Sequence, residues 1–351
     1  MKLKNYLRIQ TLKKSIAAVI ISSFASLSAS AVTIYDEDDL SFNLGGRLEG
    51  RAATEDGEII DYSRVRLNLT GKWDFHNDWY GIGFFEHEYK SAGDGSDHGN
   101  VNVRHLMSGV GNDNYGRLVF GKTDGSLGIL TDFTDILFFH GNEAGKKLHA
   151  GDRSGNNLAY FGTFGENDNL LIKANYVFGN GFPDDVNDGT SAGAVLQGSD
   201  GYSLSTVYSF DNGIKVGLGY GEQGQINATT QEVEPTATQL FATASYIVGD
   251  LYIAALYQNS ENHYKLENGD FSSDTVGYEL TAAYNIDKFR LTATHNYVED
   301  KAENETLNDM VALEAAYYFT PKFRPYVSYK HEMLDNEDSE NQVAAGVRFD
   351  F

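Results

Sequence analysis

Two stretches of the sequence have the glycine spacing of known nucleotide-binding motifs. Gly116–Thr123 matches the P-loop pattern, but its middle residues Arg-Leu-Val-Phe favour a strand and no helix follows. Gly219–Gly224 matches the dinucleotide pattern, yet it leads into a polar loop. We interpret both stretches as glycine-containing strands, so no nucleotide and no other cofactor is expected.

The residue types that catalyse reactions or bind metals form no recognisable group. The nine histidines include no HExxH motif and no i, i+4 pair, and His140 and His149 share a loop in which solvated side chains are the simpler interpretation. No Gly-x-Ser-x-Gly sequence surrounds a serine, and the absence of cysteine excludes disulfides and thiolate-zinc sites. We expect neither a metal site nor enzyme activity.

Charged residues instead recur on one side of segments that alternate between apolar and polar residues. Arg47 lies on the polar side of 40–52, Arg64 on the polar side of 61–75, and Arg104 on that of a later segment. This period of two is typical of strands with one apolar face. The arginines are therefore predicted to project from one face of a sheet.

Sixteen strands of this kind are predicted, and their connections alternate in length. Tight turns, such as Asp211-Asn-Gly and Asp287-Lys, separate longer polar loops. Short turns at one end and long loops at the other are typical of bacterial outer-membrane barrels, so residues 32–351 are predicted to form an all-β transmembrane antiparallel barrel. The strands are predicted near 40–52, 61–75, 78–90, 100–111, 115–124, 153–164, 168–180, 200–210, 213–222, 236–248, 250–261, 273–286, 288–299, 308–319, 322–333 and 341–351.

Residues 1–31 have the composition of a secretory signal peptide. A basic start is followed by the apolar run 16–25 and by Ala29-Ser-Ala31, which predicts cleavage after Ala31. Removing its five basic residues from the 27 in the chain leaves 22 against 50 acidic residues, a formal charge of −28. Nucleic acid is therefore a poor partner on electrostatic grounds.

The connection at about 125–152 is too long and too apolar for an ordinary external loop. It shows no period of two and no capped helix. Connections of this length within a compact domain are usually functional. We expect it to fold into the barrel and narrow it, anchored by the apolar residues Ile129, Leu130, Phe133, Ile136, Leu137 and Phe138.

The sequence resembles the general diffusion porins of Gram-negative bacteria over nearly its whole length after residue 31. The final strand, 341–351, has one apolar face and ends on Phe351, which is similar to the C-terminal signal read by the barrel-assembly machinery. The stretches that carry the resemblance are Val32–Asp36, Leu44–Gly50, Ser63–Gly71, Asn114–Lys122, Phe133–Asp135 and Arg153–Tyr160.

The resemblance implies a homotrimer of sixteen-stranded barrels, each with its third long loop folded inward. It also implies that basic residues on the wall face carboxylates on that loop. Matched by position, the basic residues are Arg47, Arg64, Arg104 and Arg153, and the loop acid is Asp135. Phe138–Asn142 replaces a Pro-Glu-Phe-Gly-Gly run of many relatives, which leaves Glu143 as the nearby substitute for a second acid.

The expected function is a water-filled channel in the outer membrane for small hydrophilic solutes and ions, with a mild cation preference. The alternative is a surface-binding or adhesion barrel that uses loops 181–199 and 223–235. Acidic residues in several long loops suit a hydrated surface, or loose binding of divalent cations beside lipopolysaccharide. Outer-membrane lipid and lipopolysaccharide are the surroundings that this location implies.

Overall fold

The computed structural model describes residues 31–91, 101–179, 200–226, 233–264, 271–334 and 341–351. No helix in these ranges is long and apolar enough to cross a membrane. The strands of the described ranges are β1 (Val32–Glu37), β2 (Leu40–Glu55), β3 (Glu58–Asp61), β4 (Arg64–Asp74), β5 (Trp79–Lys90), β6 (Val101–Asn112), β7 (Gly116–Asp124), β8 (Arg153–Phe164), β9 (Leu170–Val177), β10 (Gly201–Ser209), β11 (Ile214–Ile226), β12 (Val233–Val248), β13 (Leu251–Glu261), β14 (Thr275–Ile286), β15 (Phe289–Asp300), β16 (Glu305–Tyr317), β17 (Phe323–Glu332) and β18 (Gln342–Asp350).

Sixteen of these strands form a closed antiparallel barrel. From β4 to β18 each strand pairs with the next, and β2 closes the ring by pairing with both β18 and β4. At the seam, Phe351 and Gly46 exchange two backbone hydrogen bonds of 3.0 and 3.1 Å. The predicted sixteen-stranded all-β barrel is confirmed.

The other two strands extend the wall and do not add to the ring. β1 pairs with the first residues of β2, between Val32–Leu44 and Glu37–Leu40, and so continues the line of β18. β3 pairs with the last residues of β2 in the register that β4 keeps with its first part, so β3 and β4 are one strand interrupted at residues 62–63. β1 is not among the predicted strands, because its six residues are too few to show a clear alternation.

Side chains alternate between an apolar outer face and a more polar inner face. On β2, Leu44 and Leu48 are exposed while Gly45 and Glu49 are buried inside. An apolar outer band with aromatic edges suits a bilayer and its two interfaces. Exposed aromatic residues near the short-turn end are Trp73, Phe75, Trp79, Tyr115, Phe210, Phe289, Phe319 and Phe323.

The connections alternate in length as predicted, with two differences. Those at the short-turn end, such as 249–250 and 287–288, contain two to five residues. At the other end, strands extend beyond their predicted ends, because backbone pairing continues as far as Asp300–Glu305 and Ile226–Val233. Parts of the predicted features lie outside the described residues, namely 1–30 of the signal peptide, 92–100, 180–199, 227–232 of the predicted loop 223–235, 265–270 and 335–340.

Candidate pore constriction

Residues 125–152, here called the inner loop, connect β7 to β8 and lie against the inner face of the barrel. The two ends of the loop are joined by backbone hydrogen bonds from Gly125 to Asp152 (2.6 Å) and from Leu127 to Gly151 (3.2 Å). Between them the chain forms the short helix α1 (Gly128–Thr131) and a 3-10 turn at His149–Gly151. The loop contacts the wall from Asn175 on β9 to Gln342 on β18.

Apolar side chains near the two ends of the loop attach it to the wall. Leu127, Leu130 and Leu148 are at most 1% exposed and pack in one cluster with inward-facing residues. Burial of such a side chain contributes about 1.5–3 kcal/mol. Of the six apolar anchors predicted from sequence, Ile129, Leu130, Phe133 and Leu137 are buried, while Ile136 and Phe138 are half-buried. The wall residues of the cluster are Leu171, Val177, Val207, Phe241, Tyr252, Ala254, Leu256 and Ala283.

Glycines on the inner face of β11 make room for this apolar contact. A Cβ placed at Gly217 would lie 2.6 Å from Leu130 Cδ2, and one at Gly219 would lie 2.6 Å from Leu130 Cδ1. A Cβ at either position would force the Leu130 side chain to shift, so the lack of side chains here lets α1 pack closely against β11. The glycine-rich stretch that resembles a dinucleotide motif is therefore part of the surface that holds the inner loop.

Inward-facing polar side chains bind the backbone of the second half of the loop. Glu279 accepts hydrogen bonds from the amides of Ala144 (3.1 Å) and Gly145 (3.0 Å), and another from the Thr134 hydroxyl. The Glu314 carboxylate accepts from the Phe138 amide at 2.9 and 3.0 Å. A buried amide without a partner costs about 1–3 kcal/mol, so these carboxylates stabilise one path of the loop across β14 to β16.

The tip of the loop reaches the seam of the barrel. His140 lies between Ser328 on β17 (2.7 Å) and Gln342 on β18 (2.9 Å). The Arg51 guanidinium donates to the Phe138 carbonyl (3.3 Å) and lies 5.1 Å from the centre of the Phe139 ring. The Phe138–Phe139 pair therefore packs against arginine side chains, where the sequence differs from the Pro-Glu-Phe run of its relatives.

The wall formed by β2, β4, β5 and β6 carries a group of arginines on its inner face. Arg64 contacts the Glu49 carboxylate, and Arg66 contacts that of Glu88. Arg104 Nε donates to Glu86 at 2.8 Å. Each of these guanidinium groups has a carboxylate beside it, so the wall is a mixed-charge surface.

The structure brings most of the residues predicted for the site to one level of the lumen. Arg47, Arg64 and Arg104 lie within the mixed-charge wall, and Arg153 lies 3.8 Å from Asp124 at the base of the inner loop. Asp135 is exposed on the inner loop. The basic residues whose charges act on Asp135 are Lys147, Arg47, Arg64 and Arg66.

Glu143 lies apart from this group. Its carboxylate pairs with Lys146 at 3.2 Å, and its backbone amide donates to Asn296 on β15 (2.9 Å). The site also contains Arg66, Glu49 and Glu88, which are not among the predicted residues. The same alternation that selects Arg47 places Arg66 and Glu49 on the polar side. No signal in the sequence indicates that Lys147 would lie beside the loop carboxylates.

The inner loop carries a second acidic residue close to Asp135. Burial, followed by the negative charges of Asp135 and Asp124, raises the pKa of Asp132 to about 7. Lys147 lies 3.5 Å from Asp152. Burial opposes the charged form of Lys147, but Asp152, Asp135 and Asp132 together raise its pKa. The loop therefore carries a carboxylate cluster that one lysine partly offsets, and Asp135 is the member on which the wall arginines act.

Comparison with known proteins agrees with this architecture. The family model of the Gram-negative porin matches residues 16–339. The chain belongs to the Gram-negative porin family. The porin-like protein L of Photobacterium profundum is 41% identical, with 97% of this chain and 99% of the relative covered. Outer membrane protein U of Vibrio parahaemolyticus is 35% identical over 97% of this chain and 100% of its own length.

Solved structures share the fold of this porin. OmpF of Salmonella typhi, solved in complex with daunomycin, has a TM-score of 0.78 at 21% identity, covering 91% of this chain and 100% of that one. The family and its outer-membrane relatives place this porin in the outer membrane. They are channel proteins, in agreement with the expected outer-membrane porin channel.

Proposed function

We propose that this porin passes small hydrophilic solutes and ions by passive diffusion, and that the inner loop forms the constriction. The observation that carries the proposal is the fixed path of the loop along half of the inner wall, with Asp135 exposed and subject to the charges of Arg47, Arg64 and Arg66. Charges on opposite sides of a narrow aqueous gap create a transverse field that orients dipolar solutes and excludes apolar ones. Arg47, Arg64, Arg104 and Arg153 supply the positive side and Asp135 the negative side. Glu143 has a lesser role, because Lys146 neutralises it.

We further propose a mild preference for cations. The chain is strongly acidic, and each constriction arginine lies beside a wall carboxylate, so the unpaired loop carboxylates determine the sign of the local field. The cations that the field concentrates at the constriction are small and hydrated.

Planar-bilayer recordings of the purified protein test both statements. We expect stepwise ohmic conductance and, under a potassium chloride gradient, a reversal potential of the cation-selective sign. The Asp135→Asn variant is expected to conduct, with a reversal potential shifted towards the equilibrium potential of chloride. A wild-type barrel that neither conducts nor lets small sugars swell liposomes would support the adhesion alternative, and clear anion selectivity would contradict the cation preference.

The remaining expectations concern export and assembly. We propose that residues 1–31 are removed after Ala31, that Phe351 is recognised by the barrel-assembly machinery, and that the mature barrels form homotrimers surrounded by lipopolysaccharide. The backbone bonds between Phe351 and Gly46 support the role of the C-terminus in closing the barrel. Mass spectrometry of protein from outer membranes tests the cleavage site directly.

A further inference from the structure

Charged side chains on the inner wall form two neighbouring rows across β18, β2, β4 and β5. Register pairs Arg348, Glu49, Arg64 and Lys90 in the first row, and Asp350, Arg47, Arg66 and Glu88 in the second. Directly paired residues in an antiparallel sheet have Cβ atoms about 4.5–5.5 Å apart. Arg47 therefore lies directly opposite Arg66, an arrangement that repulsion disfavours without counter-ions.

Glu49 and Glu88 are the counter-ions that hold this arginine cluster together. The Glu49 carboxylate contacts Arg64 and lies 3.6 Å from Arg47 and 3.8 Å from Arg348. The Glu49 side chain is fully buried beneath them. It therefore touches three arginines that belong to three different strands.

Glu88 has the same role one strand away. Its carboxylate contacts Arg66 and lies 3.6 Å from Arg64 and 3.8 Å from Lys90, with 2% of the side chain exposed. Arg64 bridges the two glutamates. The five bases and two glutamates thus form one continuous network on the inner face, and Asp350, 2.9 Å from Arg348, adds a third carboxylate at its β18 end.

We propose that Glu49 and Glu88 determine the ion selectivity of the pore, by offsetting part of the positive charge of an arginine wall that would otherwise attract anions more strongly. The proposal rests on the channel function proposed above. Arg47, Arg64, Arg66 and Arg348 are only 14–21% exposed, so their charge reaches the lumen together with that of the glutamates beneath them. Without those two charges the positive charge of the wall opposite Asp135 increases by two, and anions gain the favourable path.

The test is the ratio of potassium to chloride permeability for Glu49→Gln, Glu88→Gln and the double variant. At about 0.01 M salt the screening length is about 30 Å, and we expect each substitution to lower the ratio roughly fivefold, with the double variant becoming anion-selective. At about 1 M salt, where screening acts over about 3 Å, the effect should largely disappear. An unchanged ratio in a conducting double variant would overturn the proposal, whereas a wild-type barrel that does not conduct would contradict the channel function itself.

Two further variants separate charge from structural support. Glu222→Gln removes the same charge from the outer face, where Tyr202 donates to the carboxylate at 3.0 Å, and it should leave the ratio unchanged. Removing the bridging base together with its counter-ion, in Glu49→Gln with Arg64→Gln, should return the ratio towards that of the wild type. If that pair keeps the low ratio of Glu49→Gln, then Glu49 acts by supporting the wall structure and the proposal is wrong.

Discussion

Asp132 is a side chain of the inner loop whose charge changes within the physiological pH range. Burial and the neighbouring carboxylates of Asp135 and Asp124 raise its pKa to about 7. Because a carboxylate is neutral below its pKa, the inner loop has one negative charge fewer at pH 6 than at pH 8. The cation preference of the pore should therefore increase as the pH rises through 7.

This prediction is checked by measuring reversal potentials at pH 6, 7 and 8 under one salt gradient. The wild type should become more cation-selective over this interval, by about the effect of one charge near the ion path. Asp132→Asn should give the selectivity of the wild type at pH 6 and keep it at pH 8. An equally large pH step in Asp132→Asn would assign the titration to another group.

The sequence could predict individual site residues only where a local pattern determines their direction. Alternation places Arg47 and Arg64 on the inner face, and the structure has them there. The alternation contains no information about the inner loop, because the residues of that loop have no regular period. The pairing of Glu143 with Lys146 depends on the path of that loop across β15, which the sequence does not give.

The inner loop packs closely against β11 because glycines on the inner face of that strand leave room for Leu130. Gly219→Ala would place a Cβ 2.6 Å from Leu130 Cδ1, and such overpacking costs about 1–3 kcal/mol. We expect α1 to detach more often from the wall, which increases current noise and amide hydrogen exchange at residues 126–134. Single-channel recording and exchange mass spectrometry measure these effects.

The matched control is Gly83→Ala on β5, where a new Cβ would meet no atom within 4 Å. It should leave both noise and exchange at the wild-type level. Equal changes in the two variants would show that a glycine in any strand has this effect, and that close contact with Leu130 is not the cause.

The role of the β11 glycines could not be read from the sequence. A glycine-rich strand indicates a bulge, a bend or the close approach of another segment, and these alternatives are equivalent until the partner is known. Here the partner is Leu130, which lies almost ninety residues earlier in the chain. The strands themselves were predictable because each repeats its own apolar face, and their ends moved where backbone pairing continued past that pattern, as at Ile226–Val233.

For the molecule as a whole, the outer face around β5 differs from the rest of the apolar band. Gly83 is paired in register with Gly71 on one side and Ser108 on the other. The Phe42 ring covers Gly71, whereas no atom lies within 4 Å of a Cβ placed at Gly83, so Gly83 and Ser108 leave a shallow open surface where other strands present leucine or tyrosine. Such a surface allows close approach of another barrel wall. It supports placing the contact of the proposed homotrimer on this side.

Gly83→Trp should therefore weaken the trimer, because a large ring would hold two flat walls apart. Leu218→Trp is the matched control, since Leu218 is 53% exposed on the outer face of β11, and a ring there would meet only lipid. Mass measured in mild detergent should show monomers for Gly83→Trp and trimers for both the control and the wild type. Circular dichroism should show the same strand content in all three proteins. Trimers of undiminished heat resistance in Gly83→Trp would move the subunit contact away from β5, while the barrel and its constriction, which form within one chain, would be unaffected.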